Sequence, residues 1–76
     1  MEIEIFVSNI AEQFEESENV NFAPSTKFRE LEEWSSLLAL SVIAMIDEEY
    51  GVKIKGDEIK SCITIEDLFE IVKSKL

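Results

Sequence analysis

The sequence predicts an all-α fold, a small four-helix bundle built from three main helices and one short helix. Apolar residues recur at spacings of three and four in three separate stretches, which is the period of one face of an α-helix. Residues that commonly cap helices stand at the ends of those stretches. The alternating segment Val52-Lys53-Ile54 is short and has no partner segment elsewhere, so it does not predict a sheet.

The first predicted helix covers residues 2–16. Glu2 and Glu4 lie in its first turn, where negative charge suits the positive end of the helix dipole. Its apolar residues form one stripe that would face the core. The stripe consists of Ile3, Phe6, Val7, Ile10 and Phe14.

Residues 17–34 lose this periodicity. Pro24 cannot lie inside a helix without loss of a backbone hydrogen bond, so the segment predicts a long connection. Four large apolar residues are expected to anchor it to the core: Phe22, Phe28, Leu31 and Trp34.

The central helix is predicted over residues 36–50. Ser35 is a suitable N-cap, because its hydroxyl can accept a hydrogen bond from a first-turn amide. Gly51 suits the residue after the helix, because glycine adopts the left-handed conformation without steric cost. Helical periodicity separates two faces. The predicted core face holds Ala39, Val42, Ile43, Ile46 and Tyr50, and the opposite face holds Ser36, Leu37, Ser41, Ala44 and Glu48.

A short turn of helix is predicted over residues 58–62, capped by Asp57, with Ile59 and Cys62 facing inward. Thr64 and Asp67 have the spacing of a capping box, which begins the last helix. The apolar stripe of that helix is Ile65, Leu68, Phe69, Val72 and Leu76.

Length and charge limit the possible functions. The 76 residues predict a single domain, residues 1–76, with a net charge of −10. Such acidity disfavours nucleic-acid binding, which needs cations, and favours basic protein partners. The N-terminus lacks the cationic region of a signal peptide, and the longest apolar run is too short to span a bilayer. We therefore expect a cytoplasmic monomer without a membrane partner.

The residues that could carry catalysis are few. The chain has no histidine, which removes the commonest general base and metal ligand. Cys62, the single cysteine, is expected in the core. Glu48 and Glu49 are adjacent on a helix and point about 100° apart, so they do not form a catalytic dyad. The acidic residues lack the alternating spacing of a Ca²⁺ loop. We expect neither an enzyme nor a metal site.

The chain resembles the acyl carrier proteins and the wider phosphopantetheine-binding carrier group, which includes peptidyl carriers. The resemblance covers nearly all 76 residues. Its specific parts are Ser36-Leu37 at the start of the central helix, the Asp47-Glu48-Glu49-Tyr50-Gly51-Val52 segment that ends it, and Thr64-Ile65-Glu66-Asp67-Leu68 at the start of the last helix. Family members usually read Asp-Ser-Leu at the modification site, and Trp-Asp-Ser-Leu is a familiar variant.

The resemblance implies that Ser36 receives a covalent 4′-phosphopantetheine from coenzyme A. It implies a carrier of acyl thioesters in fatty acid, polyketide or specialised biosynthesis, and a lipid-metabolism phosphoprotein. The implied partners are a phosphopantetheinyl transferase and basic acyl-transferring, synthase or ligase enzymes. They would dock on Leu37, Leu38, Ser41, Ala44, Asp47, Glu48 and Glu49, and the acyl chain would be sheltered by Ile43, Ile46, Ile59 and Ile63. Because the chain starts at Met1 and ends with its last helix, we expect a freestanding carrier.

The chain departs from the family pattern at position 35, where serine replaces the usual aspartate, and at position 41, where serine replaces a frequent glutamate. The family's aspartate helps to dock the basic transferase, so its absence bears on how efficiently Ser36 is modified. Ser35 itself is the weaker candidate for attachment, because it occupies the cap and the following leucine fits Ser36. Two alternatives stay open, a peptidyl or aminoacyl carrier and an acidic interaction module on the same fold that is not modified.

Overall fold

The computed structural model describes residues 2–17 and 19–76. Within these residues there are four α-helices and no strand, as predicted. They are α1 (Ile3–Glu12), α2 (Ser36–Tyr50), α3 (Gly56–Lys60) and α4 (Ile65–Ser74). A single 3₁₀ turn, Phe28–Glu30, interrupts the long connection between α1 and α2.

Helix α1 is shorter than the predicted 2–16. It ends at Glu12, and Gln13 and Phe14 continue only as a turn whose amides bond to the carbonyls of Ile10 and Ala11. The predicted stripe nevertheless faces the core, since Phe6, Val7, Ile10 and Phe14 are buried and Ile3 is partly buried.

Aromatic contacts join the long connection to α1. The ring of Phe14 lies 5.2 Å from that of Phe22 and 6.1 Å from that of Trp34, centroid to centroid. Phe28 is fully buried and meets Trp34 edge to face at 5.2 Å. Such pairs add about 0.5–1.5 kcal/mol each beyond the area they bury. The four predicted anchors, Leu31 among them, all pack on the core.

Both caps of α2 lie where the sequence predicts them. The Leu38 amide donates to Ser35 Oγ at 3.1 Å. Gly51 has φ of +66°, and its amide donates to the Asp47 carbonyl at 2.9 Å. Glycine takes this left-handed conformation without strain, so the helix ends here. The preceding residue Tyr50 accepts a hydrogen bond from the Asn9 side chain, which ties α2 to α1.

Helix α3 begins two residues earlier than predicted, and Asp57 is not its cap. Lys55 precedes the first helical residue, and its amide donates to the Glu58 carboxylate at 2.9 Å. The Glu58 carboxylate therefore takes the capping role that the sequence predicted for Asp57. Asp57 lies inside the first turn of α3. Val52 and Ile54 are buried in the connection before it, which is not a strand.

The capping box of α4 is confirmed. The Asp67 amide donates to Thr64 Oγ1 at 3.2 Å, and Asp67 Oδ2 accepts from the Thr64 amide at 3.0 Å. Four predicted core residues, Ile65, Leu68, Phe69 and Val72, are buried. Leu76 is not, because α4 ends at Ser74 and the last side chain is 65% exposed. The start of α4 is fixed by the long connection, since the amides of Ile65 and Glu66 donate to carbonyls of Thr26 and Pro24.

Candidate functional site

Ser36 is the first residue of α2 and is exposed. The hydroxyl of the preceding Ser35 accepts a hydrogen bond from the Leu38 amide, so Ser35 is engaged as the cap, whereas Ser36 is exposed. The amides of Ser36 and Leu37 precede the first intrahelical donor, because the hydrogen bonds of α2 begin with the Ala39 amide donating to the Ser35 carbonyl. A phosphodiester on Ser36 would therefore meet free amides and the positive end of the helix dipole. These features make the start of α2 a suitable place for a covalently attached phosphodiester.

A groove of about 660 Å³ opens beside Ser36, between α2 and α3. Its walls are mostly apolar. Helix α2 contributes Ala39, Leu40 and Ile43, helix α3 contributes Ile59, and Trp34 closes the end next to the cap. Ser35 and Ser36 lie on its rim, and the remaining lining residues are Arg29, Gly56 and Lys60.

Two of the four isoleucines predicted to shelter an acyl chain lie beside the groove. Ile43 and Ile59 line the groove. Ile46 is fully buried and does not reach it, and Ile63 lies 57% exposed outside it. Ile63 follows the end of α3 and stands on the turn before α4, which points its side chain to solvent.

Of the seven residues predicted to dock partners, six are exposed along α2: Leu37, Ser41, Ala44, Asp47, Glu48 and Glu49. Leu38 is the exception and is wrong as a docking residue. It is 8% exposed and belongs to the core, whereas its neighbour Leu37 is 75% exposed. Successive helical residues point about 100° apart, so the two leucines cannot share one face.

The acidic end of α2 is only slightly neutralised. Asp47 pairs with Lys53 at 3.4 Å across a well-exposed contact, which contributes little. Glu48 and Glu49 line a second groove, about 380 Å³, between α2 and α1. Glu12 lines it as well, so α1 adds a carboxylate that the α2 sequence alone did not suggest.

Three side chains at the site were not predicted. Leu40 is 61% exposed on the groove rim, although the sequence pattern indicated Leu37 alone as the exposed leucine. Arg29 and Lys60 come from the long connection and from α3. The three-residue spacing of Leu37 and Leu40 was a usable signal, whereas the place of Arg29 depends on the path of the connection.

Cys62 lies in the core, as expected. Its side chain is 1% exposed, and its thiol donates to the Glu58 carbonyl at 3.3 Å. Burial raises the pKa of this thiol, and the nearby Asp67 charge raises it further. A buried thiol with a raised pKa is a poor nucleophile, so Cys62 is a packing residue.

The described residues hold no cluster of acidic, cysteine or histidine side chains that suits a metal ion. None of their helices has the length and apolar character needed to cross a bilayer.

Comparison with known protein families agrees with this geometry. The family model described as the phosphopantetheine attachment site matches residues 6–72. Its members are carrier domains, not catalytic ones, and bear covalently attached 4′-phosphopantetheine. Searches of curated proteins and of solved structures gave no significant match. The match covers α2, α3 and most of α1 and α4, so the protein belongs to the phosphopantetheine-binding carrier family, as its resemblance to acyl carrier proteins implied.

Proposed function

We propose that this protein carries acyl groups as thioesters on a 4′-phosphopantetheine arm attached to Ser36. The observation that carries the proposal is the position of Ser36, which is exposed at the start of α2, directly after an engaged cap and on the rim of an apolar groove. In the attachment step Ser36 Oγ bonds to the phosphorus that bears pantetheine. The pyrophosphate bond of coenzyme A breaks, 3′-phosphoadenosine 5′-phosphate leaves, and the transferase accepts the hydroxyl proton.

The protein's own residues have two tasks in this function. The cap holds Ser36 at a rigid helix end, while the residues before it belong to an irregular connection, so a partner can approach the hydroxyl. The groove between α2 and α3 offers apolar contact close to the attachment point. When bound, the arm supplies the thiol that forms the thioester. The chain itself is a substrate of the transferase and a partner of acyl-processing enzymes, not a catalyst.

The apolar walls of the groove between α2 and α3 favour an acyl cargo over an aminoacyl one. Ala39, Leu40, Ile43 and Ile59 present hydrocarbon to the groove, and none of its lining residues is a carboxylate that would pair with an amino group. Burial of a methylene contributes about 0.8 kcal/mol, so even a short alkyl chain gains from these walls. A fatty acid, polyketide or specialised pathway would each supply such a cargo.

The exposed strip of α2 is the proposed docking surface. It runs from Leu37 through Ser41 and Ala44 to Asp47, Glu48 and Glu49. An apolar contact near Ser36 and carboxylates at the far end suit basic enzymes, including the transferase. Charge of this kind contributes more to the rate and selectivity of encounter than to affinity, which suits a carrier that must leave each enzyme.

Intact-mass measurement tests the attachment. Protein without the arm is incubated with coenzyme A, Mg²⁺ and a broad-specificity phosphopantetheinyl transferase. We expect the mass to rise by one phosphopantetheine, and we expect Ser36→Ala to abolish the gain. Ser8→Ala removes an exposed serine from α1, outside the docking surface, and serves as the control that keeps it. A gain that survives Ser36→Ala would refute the site. An unchanged mass with several transferases would favour the unmodified interaction module, whose binding to basic partners does not depend on Ser36.

A further inference from the structure

The groove beside Ser36 has the opposite charge to the rest of the protein. The net charge of the chain is −10, yet the ionisable residues that line this groove are two cations, Arg29 and Lys60. Three other grooves among the described residues are each lined by at least two glutamates. Ser35 adds no charge to the rim, where the family pattern has aspartate. The charged side chains on this side of the attachment point are therefore positive.

Arg29 is held in place at this rim. Its Nε donates to the Cys62 carbonyl at 2.9 Å, which fixes the guanidinium against the end of α3. A guanidinium has five N–H donors in a planar fork, so four remain for another acceptor. Such a fork matches the oxygens of a phosphate group.

Lys60 approaches the same groove from the last turn of α3. Its side chain is exposed and flexible, so it acts as a mobile point charge rather than a fixed donor. Within residues 2–17 and 19–76, neither Lys60 nor Arg29 forms a salt bridge with a carboxylate. Both cations are thus available to an anion at Ser36.

We propose that Arg29 and Lys60 bind the phosphodiester of the arm on Ser36 and so hold the first part of the arm over the groove between α2 and α3. This inference rests on the proposed function, because the phosphodiester exists only after attachment. Arg29 and Lys60 are positioning residues here. They orient the arm on its own carrier, and a partner enzyme must displace these contacts to draw the arm into its active site. The site is open to water, so the contacts are weak enough to be displaced.

Phosphorus NMR of the modified protein tests the inference. Modified wild type is compared with modified R29Q, K60Q and R29Q/K60Q, after intact mass has shown one arm on each. We expect the ³¹P resonance to shift and to narrow in the double variant, because the phosphodiester becomes more mobile. Each single variant should give part of that change. K73Q, which removes an exposed lysine from the last turn of α4 and away from the groove, should match wild type.

Salt provides a second readout in the wild-type protein. The Debye length falls from about 30 Å at 0.01 M to about 3 Å at 1 M, so exposed charge contacts weaken. The wild-type ³¹P resonance should move towards that of R29Q/K60Q as NaCl is raised, whereas the double variant should respond little. R29Q also removes the Cys62 contact, so K60Q alone keeps the test valid if R29Q disturbs the end of α3.

The outcomes separate the two proposals. If no variant and no wild-type sample gains mass, both the attachment and this inference are overturned. If mass is gained but the ³¹P shift and line width are the same in wild type, K60Q and R29Q/K60Q, attachment stands and the cationic rim does not hold the arm.

Discussion

At the scale of single residues, two adjacent serines divide the work of the site. The Ser35 hydroxyl is engaged in capping α2, whereas Ser36 is exposed to solvent. Aspartate, the family's usual residue at this position, also caps helices well. The serine therefore preserves the helix start and changes only the charge beside Ser36.

Substitution of Ser35 separates these two effects. Ser35→Ala removes the cap and should lower the free energy of unfolding by about 1 kcal/mol. Ser35→Asp should change the free energy of unfolding by only a few tenths of a kcal/mol, because an aspartate oxygen accepts a hydrogen bond from the same amide. The aspartate also supplies a negative charge, which is expected to attract a basic transferase, so we expect faster modification of Ser36. Urea unfolding and initial rates by intact mass measure the two quantities. Slower modification of Ser35→Asp than of wild type would contradict the second expectation.

Residue periodicity predicted most of α2, and its failures have local causes. The docking residues implied by the resemblance include both Leu37 and Leu38, but the helix turns Leu37 outward and Leu38 into the core. Arg29 could not be placed at all, because the connection that carries it has no repeating pattern. Its position depends on Nε reaching the Cys62 carbonyl, a contact between residues 33 apart in sequence.

At the scale of elements, helix ends were predictable where the sequence has a residue that commonly caps helices. Ser35 and Gly51 gave the bounds of α2, and Thr64 with Asp67 gave the start of α4. The end of α1 has no such residue, so the apolar stripe continued to Phe14 while the helix stopped at Glu12. The apolar stripe predicts which side chains are buried but not where the helix ends, because a turn can bury Phe14 as well as a helix can.

Two carboxylates stabilise the starts of α3 and α4 by accepting hydrogen bonds from backbone amides. Glu58 accepts the Lys55 amide at the start of α3 and also pairs with Lys75 at 2.9 Å. Asp67 accepts the amides of Ile63 and Thr64 at the start of α4. The hydrogen bond from the Lys55 amide, then the contact with Lys75, lowers the pKa of Glu58. The Thr64 and then the Ile63 amide lower the pKa of Asp67.

These lowered pKa values predict a loss of stability in acid. A carboxylate whose pKa is lower when folded stabilises the fold above its unfolded pKa, about 4, and ceases to do so as the pH falls through the folded value. Wild type should therefore be more stable than E58Q/D67N at pH 6, and the difference should shrink as the pH falls below about 4. E32Q/E70Q removes two exposed carboxylates that lie outside the first turns of the α-helices and controls for the loss of net charge. Urea unfolding across this range makes the comparison, and a difference that grows in acid would contradict the assignment.

At the scale of the whole molecule, the charge of −10 acts over the full width of the fold. The principal extents are 31, 24 and 20 Å. At 0.01 M salt the Debye length is about 30 Å, so nearly every carboxylate repels every other. At 1 M it is about 3 Å, and only direct neighbours interact. The same charge that attracts a basic enzyme therefore destabilises the free carrier.

Salt should consequently change stability and association in opposite directions. Between 0.01 and 1 M NaCl the free energy of unfolding in urea should rise, because self-repulsion is screened. Over the same range the association rate with a basic transferase should fall by about tenfold or more, because electrostatic steering is screened too.

Reversal of Asp47, Glu48 and Glu49 to lysine should lower the association rate at low salt and remove most of its salt dependence. The matched triple E4K/E66K/E70K makes the same change of net charge on α1 and α4, outside the docking surface, and should slow association less. Stopped-flow association and urea titration give both readouts. Equal loss of rate in the two triple variants would mean that net charge, not the α2 surface, directs the encounter.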